Sequence, residues 1–170
     1  MIVDLTDTGA WPREFNLTVE PADINLDMPN ARLTGSITTK GLVEKHAGWL
    51  EVDGLIEGEA AVDCSRCLEP VERLLSIPFN IRFVRAGDVG DAHEREVDTG
   101  DLDSSEIEGD EIDLKEIIRE QILLDLPEQV FCKEDCKGLC PKCGANRNLI
   151  DCKCHDEETD PRWTALKDLK

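Results

Sequence analysis

The sequence predicts an α+β protein in which an antiparallel β-sheet comes first, a core α-helix follows, and a small cysteine-rich zinc-knuckle segment precedes a short C-terminal helix. Three observations support this fold class. Apolar and polar residues alternate through much of residues 33–83, the apolar period becomes helical after residue 113, and six of the eight cysteines lie within residues 132–154. Alternation is typical of a sheet with one solvated face, and the longer period is typical of an amphipathic helix.

The composition limits the class of protein. The chain has 170 residues, with 38 acidic and 19 basic side chains and a formal charge of −19. No apolar run reaches the ~18 residues that span a bilayer, and the first residues do not resemble a signal peptide. We therefore expect a cytoplasmic protein that contacts no membrane. Its net charge disfavours attraction of the whole molecule to a phosphate backbone.

The sheet is predicted within residues 1–130. The interval between its second and third long strands, residues 64–70, is typical of a hairpin apex, and Pro78 predicts an interruption of the third strand because proline lacks an amide donor. The predicted elements, in order, are a strand at 13–19, a helical turn at 21–26 and strands at 33–43, 49–62 and 71–83.

Acidic residues are concentrated after the sheet. Residues 86–130 contain sixteen acids and three bases. Within them, residues 86–106 are rich in Gly, Asp and Ser without a sustained period, so we expect an exposed acidic loop that extends to about residue 110. This loop is either a solvated spacer or a docking surface for a basic partner.

A core helix is predicted at about residues 114–125. Asp113 and Glu116 have the spacing of a capping box, and Pro127 follows as a stop signal. The tail at 159–170 predicts a second, short amphipathic helix, because Asp160 and Pro161 form a start signal ahead of spaced apolar residues. The apolar face of the core helix consists of Leu114, Ile117, Ile118 and Ile122, and we expect Leu123, Leu124 and Leu126 to widen it.

The cysteine-rich segment, residues 131–158, predicts a structural zinc site. Tetrahedral zinc takes four thiolates, and two residues between Cys140 and Cys143 allow one tight turn to present both sulfurs to one ion. Gly144 permits a positive φ after that turn. Cys152 and Cys154 are the next candidate ligands. Cys132 and Cys136 either replace one of these ligands or serve a second ion.

The earlier pair, Cys64 and Cys67, has three interpretations. It is a purely structural hairpin apex, a second pair of zinc ligands, or a reducible thiol pair. With all eight cysteines, two tetrahedral sites could be filled. We expect no disulfide framework, because the cytosol keeps thiols reduced.

The sequence indicates no catalytic residues. An all-cysteine site is closed to substrate, and no phosphate-binding loop, nucleophile elbow or metalloprotease motif is present. We therefore expect neither enzymatic activity nor a small-molecule substrate. The cysteine segment is nearly neutral and offers candidate contacts to RNA or to a partner at Lys137, Lys142, Asn146, Arg147 and Asn148.

Several motifs together resemble the YceD family of bacteria, the large ribosomal RNA subunit accumulation proteins. In chain order they are Cys64-Ser-Arg-Cys67-Leu-Glu-Pro70, Glu111-Ile-Asp-Leu114 with the helix that ends at Leu126-Pro127, the run from Cys132 to Asn148, Cys152-Lys-Cys154, and Asp160-Pro-Arg-Trp-Thr-Ala-Leu-Lys-Asp-Leu169. They cover the chain from about residue 60 to its end.

The resemblance implies a cytosolic, non-enzymatic factor linked to the accumulation of large-subunit ribosomal RNA. Together with the charge, it favours a basic protein partner, either a ribosomal protein or a ribonuclease. Direct contact with ribosomal RNA through the zinc segment is the alternative, and a thiol-redox protein is a further one. Some members of that family keep the first cysteine pair without the later segment, which implies that Cys64 and Cys67 are independent of the later cysteines.

Overall fold

Eight strands and one α-helix occupy the residues that the computed structural model describes, which are 2–4, 11–85, 104–107 and 109–154. In chain order they are β1 (Ile2–Asp4), β2 (Arg13–Val19), β3 (Ala31–Leu33), β4 (Ile37–Lys45), β5 (Trp49–Asp63), β6 (Pro70–Arg85), β7 (Ser104–Ile107), β8 (Glu111–Asp113) and α1 (Leu114–Asp125). A 3₁₀ turn at Pro21–Asp23 follows β2. The architecture is mostly sheet with one helix and a cysteine-rich region.

The chain divides into two compact units. The sheet unit contains residues 1–62 and 71–128, and the cysteine unit contains residues 63–70 and 129–170. The predicted boundary near residue 130 therefore omits residues 63–70 from the cysteine-rich module. The sequence around residues 63–70 does not indicate that they join the later cysteines in one unit, because they follow a long strand and lie far from those cysteines along the chain.

The main sheet has six strands, in the order β2-β4-β5-β6-β7, with β3 paired to β5. The alternation predicted for β4 and β5 has its physical basis in their antiparallel register, in which Thr38 lies opposite Glu57 and Lys45 opposite Leu50. One side of each strand is buried and the other is solvated. The buried side includes Ile37, Val43, Val52 and Ile56.

Two glycines create space in the core for aromatic rings. Gly41 lies directly opposite Gly54 in the β4–β5 register. A Cβ atom at Gly41 would lie 2.7 Å from Cζ of Phe15, and one at Gly54 would lie 2.7 Å from Cζ of Phe79. Both rings are buried, and each fills the space that a side chain at the neighbouring glycine would otherwise occupy.

Two predicted features differ in the structure. β6 runs without interruption through Pro78, because β7 pairs only with residues 82–85 of β6, and proline is accepted along an open strand edge. The acidic loop ends earlier than predicted, since Ser104–Ile107 form β7 and Glu111–Asp113 form β8. Residues 86–103 of that loop and the predicted helix at 159–170 lie outside the described residues.

The helix α1 begins and ends where its sequence pattern indicates. The Asp113 carboxylate accepts a hydrogen bond from the backbone N–H of Lys115 at 3.0 Å, which satisfies a donor of the first turn. Arg119 donates to the Asn25 carbonyl at 2.7 Å and pairs with Asp27 at 3.0 Å. Within the described residues, no helix is both long and apolar enough to cross a membrane. The buried face consists of Leu114, Ile117, Ile118 and Ile122, and Leu124, which was expected to widen it, is exposed instead.

Candidate metal centre

All eight cysteines lie in the cysteine unit and form two groups of four. Within each group, every pair of Sγ atoms lies within 4.8 Å. We call them the early cluster and the late cluster. The early cluster is Cys64, Cys67, Cys132 and Cys136, and the late cluster is Cys140, Cys143, Cys152 and Cys154.

The early cluster has the sulfur spacing of a tetrahedral site. Sγ of Cys64 lies 3.8 Å from Sγ of Cys136, and Sγ of Cys67 lies 3.6 Å from Sγ of Cys132. Four sulfurs at about 2.3 Å from one ion are separated by about 3.8 Å at the corners of a tetrahedron. A disulfide would need about 2.05 Å. The early cluster therefore holds free thiols in an arrangement that one metal ion fits.

Each cluster is built on a knuckle of the same construction. The N–H of Cys64 donates to the Glu69 carbonyl at 2.8 Å, and the N–H of Leu68 donates to the Cys64 carbonyl at 2.9 Å. In the late cluster the N–H of Cys140 donates to the Ala145 carbonyl at 2.8 Å, and that of Gly144 donates to the Cys140 carbonyl at 2.9 Å. The two Cys-x-x-Cys turns are thus equivalent in hydrogen bonding.

The residue after each knuckle adopts the left-handed conformation. Its φ is +61° at Leu68 and +72° at Gly144. The glycine after Cys143 indicated the second knuckle from the sequence, whereas Cys64 and Cys67 were left with three interpretations, because leucine seldom adopts this conformation. The Cys-x-x-Cys spacing and the total of eight cysteines are the sequence signals that favour a second site at the first knuckle.

The hairpin tip between β5 and β6 is tied to residues 130–139. The N–H of Ser65 donates to the Val130 carbonyl at 2.8 Å, and the N–H of Leu139 donates to the Arg66 carbonyl at 2.9 Å. The Arg66 guanidinium donates to the Cys136 carbonyl at 3.1 Å and lies 4.4 Å from the ring centroid of Phe131. These contacts bring the two halves of the early cluster together.

The surroundings of the two clusters favour ionisation of some thiols and oppose ionisation of others. Burial opposes ionisation of Cys64, but backbone hydrogen bonds from Arg66, Cys132 and Cys67 outweigh it and lower the pKa of Cys64 to about 6. Backbone hydrogen bonds from Cys143 and Lys142 lower the pKa of Cys140 to about 6. The neighbouring Cys143 thiol raises the pKa of Cys154 to about 11. Four adjacent thiolates therefore need a cation among them.

The amide side chains of Asn146 and Asn148 are engaged inside the cysteine unit. Asn148 donates to Sγ of Cys136 at 3.3 Å and to the Asn146 side chain at 2.9 Å, and it accepts from the N–H of Lys137 at 2.9 Å. Asn146 donates to the Glu69 carboxylate at 3.3 Å. Both amides therefore have structural roles, whereas the side chains of Lys137, Lys142 and Arg147 are exposed.

The structure corrects one expectation about the cysteines. The sequence left three interpretations of Cys64 and Cys67 open, and the family resemblance favoured a feature independent of the later thiols. Instead these two thiols complete a cluster with Cys132 and Cys136. The physical reason is the hairpin tip, which lies against residues 130–139 although the two segments are more than sixty residues apart in sequence. The late cluster consists of the four cysteines that ranked first as ligands from spacing alone.

A protein-family model matches the chain over residues 52–170, and its description is Large ribosomal RNA subunit accumulation protein YceD. Among curated proteins, the chain is 31% identical over 161 residues to the uncharacterized protein YlbN of Bacillus subtilis, and the alignment covers 92% of this chain and 87% of that one. It is 28% identical over 173 residues to the uncharacterized protein Rv2926c of Mycobacterium tuberculosis, with 99% and 81% covered.

A plant relative carries a descriptive name. The chain is 30% identical over 142 residues to the chloroplastic Large ribosomal RNA subunit accumulation protein YCED homolog 1 of Arabidopsis thaliana, and the alignment covers 71% of this chain and 44% of that one. No solved structure matches the chain significantly. The family match includes every cysteine of both clusters, and the bacterial relatives align along nearly the whole chain. The chain therefore belongs to the YceD family.

Proposed function

We propose that this protein is a non-enzymatic cytoplasmic factor that supports the accumulation of large-subunit ribosomal RNA by binding a basic protein partner. The family description supports the link to ribosomal RNA. The formal charge of −19 supports a basic partner, because a net anion is repelled by RNA and attracted to a ribosomal protein or a ribonuclease.

In this proposal each cluster binds one structural zinc ion. The observation that carries this step is the sulfur spacing of 3.6 and 3.8 Å in the early cluster, which fits tetrahedral coordination by four thiolates. When bound, zinc supplies charge neutralisation and a cross-link between chain segments. Four thiolates leave no open position for a substrate, which supports a structural role rather than a catalytic one.

The packing of the cysteine unit supports the same role. Within its described residues, the buried apolar side chains are Val130 and four cysteines, namely Cys64, Cys67, Cys136 and Cys140. One valine cannot supply a hydrophobic core, and small units without a core depend on metals or disulfides. The free thiols of this unit therefore favour metal as its source of stability.

The solvated side of the main sheet is a suitable surface for a basic partner. Glu44 lies directly opposite Glu51, and Leu42 lies opposite Asp53, in the β4–β5 register. His46 lies between these two glutamates, with Nε2 3.7 Å from the Glu44 carboxylate and 3.4 Å from the Glu51 carboxylate, and a cationic partner would add further favourable charge contacts to this acidic surface. Lys40 pairs with Glu57 at 3.3 Å on the same side. In the sequence, residues 86–130 contain a further sixteen acids and three bases.

Direct RNA contact is the second candidate function. The described residues of the cysteine unit contain six bases and five acids, so this unit lacks the strong negative charge of the rest of the chain. Lys137 and Arg147 are exposed there. Charge reversal at these two positions would abolish RNA binding if they contact RNA.

Co-purification from cells distinguishes the two candidates. The full chain, carrying a tag, replaces the native copy in a bacterium, and bound material is washed at about 0.05 M and about 0.5 M salt, with and without ribonuclease treatment. We expect a basic protein that resists ribonuclease and is released by salt. Loss of the partner on ribonuclease treatment, or retention at high salt, would contradict the proposal.

Paired variants locate the contact. Changing Glu44, Glu51 and Asp53 to the corresponding amides should reduce capture of the basic protein and lower the level of large-subunit ribosomal RNA. The matched change of Lys137 and Arg147 to glutamate should leave both unaffected. The opposite pattern would support RNA contact instead.

A further inference from the structure

The two clusters differ in exposure and in their dependence on chain topology. Three of the four early-cluster cysteines are buried, with exposed fractions of 0% at Cys64, 4% at Cys67 and 5% at Cys136, and Cys132 is exposed. The late cluster is more open, because Cys143 and Cys154 are exposed and Cys152 is half-buried. All its ligands fall within residues 140–154, so one local loop holds them. The late cluster is therefore the more accessible to metal exchange.

One side chain connects the late loop to the early cluster. Asn148 lies between Cys143 and Cys152, and its amide nitrogen donates to Sγ of Cys136 at 3.3 Å. Its amide oxygen accepts from the N–H of Lys137, the neighbour of Cys136, at 2.9 Å. The backbone beside it is fixed as well, since the N–H of Arg147 donates to the Gly138 carbonyl at 2.9 Å.

Apolar packing does not hold the late loop in place. Its two large apolar residues, Leu149 and Ile150, have exposed fractions of 76% and 58%. The position of Asn148 therefore depends on the hydrogen bonds just described, on the two that Asn148 donates to the Asn146 side chain, and on the closure of the loop between Cys143 and Cys152. A metal ion at the late cluster would provide that closure.

We propose that Asn148 couples the two metal sites, so that metal bound at the late cluster strengthens metal binding at the early cluster. The proposal rests on the metal sites of the proposed function. An N–H donated to a ligating sulfur orients the ligand and stabilises its negative charge, and groups of this kind change metal affinity by about 10- to 100-fold. Because such coupling is reciprocal, metal bound at the early cluster raises the metal affinity of the late cluster by the same factor.

A double-mutant cycle tests the coupling. The full chain is loaded with cadmium, which gives a separate NMR resonance for each four-thiolate site, and is titrated with a chelator. Four proteins are compared: the unmodified chain, Asn148→Ala, a late-cluster knockout with Cys143→Ser and Cys154→Ser, and the combination of the two. Asn16→Ala, at an exposed asparagine of β2, is the matched control.

We expect Asn148→Ala to weaken cadmium binding at the early cluster by about 10- to 100-fold. The late-cluster knockout should weaken the early cluster by up to the same factor, and the combination should cause no further loss. The coupling would be overturned if the two changes together reduced the cadmium affinity of the early cluster by the product of their separate effects. It would also be overturned if Asn148→Ala left that affinity unchanged. Failure of either cluster to bind cadmium in the unmodified chain would overturn the metal sites and the coupling with them.

Asn148→Asp separates the sulfur contact from a loss of folding. This variant keeps an oxygen for the N–H of Lys137 and replaces the N–H donor with an anionic oxygen near Sγ of Cys136. We expect a greater loss of affinity at the early cluster than with Asn148→Ala, together with a changed chemical shift of its cadmium resonance. An unchanged shift would show that Asn148 acts only through the fold and would contradict the proposal.

Discussion

Leu68 and Gly144 occupy the same position in the two knuckles, directly after the second cysteine. Both have positive φ, and their N–H groups make equivalent bonds to the first cysteine of each turn. The left-handed conformation costs a non-glycine residue about 1–2 kcal/mol, so Leu68 is held there by the rest of its hairpin. The early knuckle therefore carries a strain that the late knuckle avoids.

This difference leads to a prediction at Gly144. Gly144→Val should destabilise the late knuckle by about 1–2 kcal/mol, because a β-branched residue is forced to positive φ. The cost is local, since an added Cβ atom meets nothing within 4 Å. Reactivity of the late-cluster thiols during denaturant titration measures it. Asparagine tolerates this conformation, so Gly144→Asn should reduce the stability of the late knuckle by less than half as much as Gly144→Val. An equal reduction would contradict this explanation.

At the level of elements, α1 gains its stability from one buried face. Ile118 is 1% exposed, whereas Leu124 on the opposite side is 79% exposed. We expect Ile118→Ala to lower the free energy of unfolding of the sheet unit by about 2–5 kcal/mol, because it leaves a cavity. Leu124→Ala is the control and should change it by less than about 0.5 kcal/mol. Denaturant unfolding monitored by circular dichroism measures both values, and similar losses would contradict this packing.

The elements that the sequence predicts best have local causes. β2 and α1 lie where alternation, the capping residue Asp113 and the helical period indicated. No local sequence pattern predicts the early cluster, because its two cysteine pairs are more than sixty residues apart and are brought together by the β5–β6 hairpin. Periodicity also could not show that β7 would follow the acidic loop, since four residues are too few to establish a pattern.

At the scale of the whole molecule, the two units have different sources of stability. The sheet unit buries a large apolar core, whereas the described part of the cysteine unit buries one valine and four cysteines. A chelator should therefore increase amide hydrogen exchange in residues 64–70 and 129–154 while β4 and β5 stay protected, because metal binding supplies folding free energy only to the cysteine unit. Uniform loss of protection would show that the sheet unit also depends on metal.

The metal content of the native protein tests the central claim most directly. The full chain is purified under reducing conditions without a chelator, and its zinc is measured by elemental analysis alongside a count of reactive thiols. Two zinc ions per chain and eight thiols that react only after the metal is removed are the expected result. Folded protein without bound metal, or one whose eight thiols react freely, would contradict the assignment of both clusters as metal sites.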